Sequence, residues 1–353
     1  MSTDPLPPVP HKRRVRYRGT HPRRFDQKYK EHDPARYAGE VQKIIESGKT
    51  PAGSHRSICR DEIMEVLAPK AGEIAVDATL GYGGHALDIV RAIQPGGRLI
   101  GLDVDPIELP RTEARLRASD IPAEALLLHR SNFAGLPKVL AEEGLETVDL
   151  ILADLGLSSM QMDNPARGFS FKYEGPLDLR LNPQRGRPVS ELLASIAEPA
   201  LLQILRDNAD EPYAVMLARA ICEAKSRHAI ATTTGLARII RDAFAANGGR
   251  KSKEEVDTSI RRVFQALRIV VNDEFGALEA FLRILPVCLK PGGRVAILSF
   301  HSGEDRRVKK AFQEGERAGV YARVADEVIR AGREEVRSNP RASSAKLRWA
   351  VKA

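Results

Sequence analysis

Along most of the chain, apolar residues fall into two alternating patterns. Short runs with continuous apolar centres occur at residues 73–79, 98–103, 125–129 and 148–154. Between them, at residues 61–67, 86–93, 108–118 and 137–143, apolar positions recur at helical spacing. Apolar runs of this length predict strands buried on both faces, and the intervening periodicity predicts helices that cover them. Regular strand–helix alternation predicts a parallel sheet with helices on both sides. Pro69 and the Pro95-Gly96-Gly97 turn end two of the helices.

After residue 154 the rhythm changes. The next comparable apolar run is 293–300, just beyond the turn signal Pro291-Gly292-Gly293. So long a gap far exceeds an ordinary crossover. Helical periodicity fills much of it, at 189–196, 199–206, 213–226, 233–246 and 259–269. The pattern therefore predicts an all-helical domain, residues 165–262, inserted between a first part of the sheet domain, 55–164, and a second part, 263–353. Residues 347–351 are expected to form a last strand that completes the sheet edge. Residues 1–54 stand apart as a basic N-terminal extension with a short helix near 36–47.

Composition adds a partner. The net charge is +8, with 42% hydrophobic and 29% charged residues, and the isoelectric point is about 9.4. A basic chain with a real core suits a polyanion such as nucleic acid, because phosphate contacts by Lys and Arg release counterions. In residues 1–54, Arg13, Arg14, Arg16 and Arg18 stand beside Tyr17, Phe25 and Tyr29. That segment reads equally as an RNA-gripping arm and as a solvated tail. Cys59, Cys222 and Cys288 are scattered, so neither a metal site nor a disulfide framework is expected, and a reducing cytoplasm fits. No apolar run has the length of a membrane span, and no secretion signal is expected, since the N-terminal residues are basic and proline-bearing without an apolar stretch.

The candidate chemistry gathers at strand ends. The first strand runs into Asp77-Ala78-Thr79-Leu80-Gly81-Tyr82-Gly83-Gly84-His85. Glycines there let a ligand approach the backbone at a helix N-terminus, and the missing GxGxxG spacing lowers a dinucleotide reading. Asp103 ends the second strand, where a carboxylate can accept from both hydroxyls of a ribose, while Asp105 caps the next helix. Phe133, after the third strand, reads equally as a lid over a nucleoside base and as a core aromatic. The fourth strand delivers Asp154, then Ser158, Ser159 and Gln161. A carboxylate with hydroxyls at a strand end suits a site that holds an amine and accepts its proton. His301, Glu304, Asp305 and Arg306 follow the fifth predicted strand. Arg167, Arg180, Arg306, Arg341 and Lys346 are candidate RNA contacts in loops rich in Gly, Pro and Arg.

Taken in order, these segments resemble the MraW/RsmH family of ribosomal RNA small-subunit methyltransferases. The resemblance rests on Gly83-Gly84-His85, Asp154 to Gln161, Arg167-Gly168-Phe169-Ser170-Phe171, Gly175-Pro176-Leu177-Asp178, Phe264 to Ile269, Ser299-Phe300-His301-Ser302 and Asn339-Pro340-Arg341-Ala342. It implies a class I S-adenosylmethionine-dependent methyltransferase fold, α/β with a Rossmann-like, mostly parallel sheet and an inserted helical domain. It also implies methylation of the exocyclic N4 amine of a cytidine in the decoding region of 16S rRNA, with rRNA or the small ribosomal subunit as partner. Carried over by position, Gly83, Gly84, His85, Asp103, Phe133, Asp154 and Gln161 would hold S-adenosylmethionine; from the residues themselves, Asp154 with Ser158 or Ser159 is expected to hold the amine, and His301 is a further catalytic candidate. The chain departs from the family pattern at Tyr82, Val104, Met160, Gly303 and residues 257–262, and its basic N-terminal segment reads as extra, which implies a divergent branch. Two rivals stay open: a methyltransferase of another RNA, DNA or protein amine, and a non-catalytic RNA-binding assembly factor on the same scaffold. Carbon-5 methylation is disfavoured, since no cysteine lies in these loops. Monomer and homodimer are both compatible with the sequence.

Overall fold

The structure, a computed structural model, describes residues 57–248 and 251–353. The basic extension 1–54 and its expected helix lie outside the described residues. The first helix, α1 (Arg60–Leu67), is followed by β1 (Ile74–Asp77), α2 (Gly84–Ala92), β2 (Arg98–Asp103), α3 (Glu108–Arg117), β3 (Leu126–Arg130), α4 (Leu136–Glu142) and β4 (Val148–Asp154). Each strand is apolar because each is covered on both sides. Successive side chains point to opposite faces, so Val76 and Ile100 join one apolar cluster while Ala75 and Leu99 join another.

The sheet has seven strands in the order β3-β2-β1-β4-β5-β7-β6, where β5 is Leu289–Ser299, β6 Tyr321–Val324 and β7 Lys346–Lys352. Strands β1 to β5 pair in parallel, and β7 runs antiparallel to both β5 and β6. This is the mixed α/β, mostly parallel arrangement that the alternating pattern predicts. Two details differ. The strand near residue 350 does not complete the edge; it is hydrogen-bonded on both sides, and the edge belongs to β6, which the pattern missed. With only four residues, of which Ala322 and Arg323 are exposed, β6 carries too little apolar signal to stand out. The Pro291-Gly292-Gly293 turn lies inside β5. There the ladder to β4 skips from Leu289 opposite Val148 to Arg294 opposite Leu150, leaving a bulge.

Between β4 and β5 the chain forms α5 (Ser159–Asp163), α6 (Val189–Ser195), α7 (Glu198–Ala209), α8 (Ala214–Lys225), α9 (Thr233–Ala246), α10 (Lys253–Asn272) and α11 (Glu274–Cys288). Helices α6 to α10 share an apolar cluster of their own, to which Phe169, Leu177 and Leu179 of the preceding loop also contribute. Helix α10 starts earlier than its apolar periodicity shows, because Ser252 and Glu255 form a reciprocal cap around its first turn. It runs unbroken from 253 to 272, through residue 262. After β5, α12 (Ser302–Arg317) leads to β6, and α13 (Arg333–Ser338) precedes β7. Among the described residues no helix is long and apolar enough to cross a membrane.

Strand order reverses between β1 and β4, and parallel sheets open a crevice at the carboxyl ends of the strands at that point. Asp77, Asp103 and Asp154 are the last residues of β1, β2 and β4.

Candidate active site

Backbone hydrogen bonds splay the loop after β1 across its neighbours. Ala78 N–H donates to Leu152 O of β4 and Leu80 N–H to Leu102 O of β2, each at 2.8 Å. Thr79 Oγ1 accepts the Asp154 N–H at 2.6 Å. The loop then closes on Gly83, whose φ of 79° at the N-cap of α2 is costly for any residue with a Cβ. At Gly84 the restriction is steric: a Cβ would sit 2.1 Å from Ser57 Oγ.

Three carboxylates and one imidazole surround this turn. Asp103 accepts from Gly81 N–H through Oδ2 and from Asp105 N–H through Oδ1, both at 2.8 Å. Burial pushes its pKa up to about 6, against the pull of those two donors. Asp77, 2% exposed, accepts from Thr79 N–H at 3.1 Å. Burial, with the Asp103 charge adding to it, raises Asp77 to about 7. Asp154 lies deep between the strand tips, yet 31% of its side chain stays accessible, as expected for the floor of a cleft. Burial first, then the charges of Asp77 and Glu304, push it up to about 8. His85 Nε2 stands 3.7 Å from Asp154 Oδ2, is itself buried and makes no hydrogen bond. Burial holds His85 down to about 4, so it is neutral near pH 7 and its closeness to Asp154 is not an ion pair.

A site with buried, crowded acids, each protonated above its ordinary range, is electrostatically short of a cation. A sulfonium nucleoside supplies one, together with ribose hydroxyls for a carboxylate and a chain that can lie along a glycine turn. The donor set therefore fits S-adenosylmethionine. Asp77 was missing from the residues singled out by sequence, although it ends β1 just as Asp103 ends β2 and Asp154 ends β4. That shared position was the available signal.

The other expected site residues fall in different places. Phe133 is half-buried, its ring 5.1 Å from that of Phe281, so one side of it faces the core. Ser158 caps α5, its Oγ accepting Gln161 N–H at 3.2 Å. Gln161 is 5% exposed and its amide is engaged inside the protein: Nε2 donates to Asp105 at 2.7 Å and Oε1 accepts from Ser158 N–H at 3.0 Å. Ser159 Oγ accepts from Arg341, which also donates to Asp163 at 3.0 Å, tying the loop before β7 to α5. His301 lies against Glu304, Nε2 to Oε1 3.2 Å, with both ring nitrogens sealed from solvent.

The arginines divide as well. Arg306 is 69% exposed, 3.4 Å from Asp210, and Lys346 is half-buried at the start of β7. Arg180 donates to both oxygens of Asp178 and to Gly186 O, and so shapes its own loop. Arg167 requires a correction. Expected on RNA, it is 5% exposed and paired at 2.6 Å with Asp105, which has no exposure at all. A guanidinium can be hidden so deeply only opposite a carboxylate, and the sequence places that carboxylate too far away along the chain to be noticed.

Residues 52–353 match the model of the MraW methylase family. Ribosomal RNA small subunit methyltransferase H 2 of Alkaliphilus metalliredigens is 52% identical over 342 residues, covering 97% of each chain. Ribosomal RNA small subunit methyltransferase H 1 of Lachnoclostridium phytofermentans is 49% identical over 344 residues, covering 97% of this chain and 93% of its own. Among solved structures, an rRNA methylase from Streptococcus thermophilus aligns with a TM-score of 0.35 at 12% identity, over 83% of this chain and 93% of that one. The alignments with these two relatives take in most of residues 1–54, whereas ribosomal RNA small subunit methyltransferase H of Solidesulfovibrio magneticus, 39% identical over 313 residues, matches 84% of this chain and 94% of its own.

Proposed function

This chain belongs to the MraW methylase family, and from that premise we propose that it methylates small-subunit ribosomal RNA with S-adenosylmethionine, at the exocyclic N4 amine of a cytidine in the decoding region. The observation that carries the reading is Asp154: a carboxylate at the tip of β4, 31% exposed, 3.7 Å from His85 of the glycine turn, and raised to about 8.

When bound, S-adenosylmethionine supplies an electrophilic methyl group. Gly83, Gly84 and His85 would line its methionine end, and Asp103 its ribose. The amine of cytosine is a weak nucleophile, because its lone pair is delocalised into the ring. Asp154, aided by the Ser158 hydroxyl, would accept hydrogen bonds from that NH₂ and orient the nitrogen. An amine that takes up a methyl group must give up a proton, and Asp154 in its ionised form would receive it. A carboxylate whose pKa lies near working pH is suited to that task, whereas one at the ordinary value near 4 is a poor base. A base in an unpaired loop reaches such a site at little unstacking cost.

The test maps methylated cytidines in small-subunit rRNA from cells with and without the protein, and repeats the mapping with Asp154→Asn. The expected result is loss of one N4-methylcytidine in both cases, with cofactor binding by Asp154→Asn still measurable calorimetrically. An unchanged modification map rejects the rRNA assignment, and wild-type turnover by the variant removes Asp154 from the chemistry.

A further inference from the structure

We propose that Arg167 is a positioning residue that ties the tip of β2, on the cofactor side, to the loop at 179–181, to which we assign the RNA, through one buried guanidinium. The inference rests on the reaction proposed above. It starts from Asp105, which accepts four hydrogen bonds: Ile107 N–H at 2.9 Å and Glu108 N–H at 3.3 Å through Oδ1, and Gln161 Nε2 at 2.7 Å and Arg167 Nη1 at 2.6 Å through Oδ2. The backbone of Asp105 in turn donates to Asp103 Oδ1 at 2.8 Å, so wherever residue 105 is held, the Asp103 carboxylate is aimed. Through Gln161 the same node reaches the Ser158 N–H, at the cap beyond Asp154.

The other arm of Arg167 faces away from β2. Its Nη2 donates to the carbonyls of Leu181 at 2.7 Å and Arg180 at 3.2 Å. That segment needs holding. Leu179 is buried with φ of 62°, a left-handed conformation that costs a leucine energy and persists only where its surroundings enforce it. Asn272 adds the remaining ties, accepting from Leu181 N–H at 2.7 Å and donating to Leu179 O at 2.8 Å. One side chain therefore joins the tip of β2, the loop after β4 and the strained loop at 179–181. Two sites that share a rigid node bias each other's affinity.

The experiment compares the full chain with Arg167→Met and Arg167→Lys, and with the neutral pair Asp105→Asn/Arg167→Met. It measures S-adenosylmethionine affinity by calorimetry, methyl transfer to small-subunit particles, and thermal stability. In Arg167→Met, cofactor Kd and RNA KM should each rise about ten-fold or more while kcat at saturation changes little. Arg167→Lys keeps a charge for Asp105 without reaching both carbonyls, so KM for RNA should rise with cofactor Kd nearly unchanged. The neutral pair should regain thermal stability without regaining affinity, which a merely structural role does not predict. Wild-type Kd and KM in Arg167→Met, or affinity that recovers in step with stability in the neutral pair, overturns the proposal. If Arg167→Met does not fold, an unchanged KM in Arg167→Lys does the same. Failure of the wild-type chain to transfer methyl groups would instead reject the underlying reaction.

Discussion

Cofactor affinity should depend steeply on pH, in a direction the site dictates. Without a ligand, Asp103, Asp77 and Asp154 titrate near about 6, 7 and 8, each raised first by burial. A group raised above its unfolded value contributes full stability below that value, and the contribution is lost as pH climbs through the folded pKa. The ligand-free chain therefore loses stability from about pH 4 to pH 8 on account of these groups. A cationic ligand favours their ionised forms and reverses part of that loss. If the cofactor binds better when Asp154 is ionised, that form grows from about one in a hundred at pH 6 to one half at pH 8, a gain of up to roughly fifty-fold in affinity. Isothermal titration at pH 6, 7 and 8 in two buffers of different ionisation enthalpy measures both Kd and proton release. About one proton should leave per cofactor bound near pH 7, and Asp154→Asn should flatten the Asp154 part of the profile. An affinity that stays level from pH 6 to 8, with no buffer-dependent heat, refutes the reasoning that a cation relieves crowded acids here.

Three further outcomes follow from packing. In Gly84→Ala the new methyl meets Ser57 Oγ at 2.1 Å. Because Ser57 can turn its hydroxyl aside, urea unfolding should show a loss of at most about 1 kcal/mol, recovered in Ser57→Ala/Gly84→Ala, where the obstructing hydroxyl is gone. In Gly168→Ala the obstacle is backbone, Pro176 O at 2.0 Å, and φ is already 72°, so the destabilisation should exceed about 2 kcal/mol with no comparable single rescue. Arg268 donates to both oxygens of Glu274 at 2.7 and 2.9 Å, the two side chains being 12% and 14% exposed. Arg268→Met should cost about 3–5 kcal/mol by stranding Glu274, and Arg268→Met/Glu274→Leu should recover much of it; equal stability of wild type and single variant would show the pair to be dispensable.

The legible part of the site was the part encoded by position on a strand. Asp103 and Asp154 could be chosen because a parallel sheet exposes its strand ends at one edge, and an acid closing an apolar run has few other reasons to be there. The same logic holds for Asp77, which ends β1. A motif that contains Gln161, or a loop rich in Gly, Pro and Arg that contains Arg167, says nothing about which direction the side chain faces. Both turn inward to Asp105, more than fifty residues away along the chain in each case. The same limit applies to His301: being next after a strand does not say whether its nitrogens open to a cleft or to Glu304.

Periodicity by itself determined the parallel half of the sheet and the helical stretch between β4 and β5. Burial on both faces leaves an uninterrupted apolar run, and a helix must repeat its apolar side every three or four residues. The edge of the sheet, the bulge in β5 and the partners of the buried charges were decided only in the folded molecule. Each depends on what lies across from a residue in space, and opposite charges or paired strands distant in sequence leave no local pattern to read.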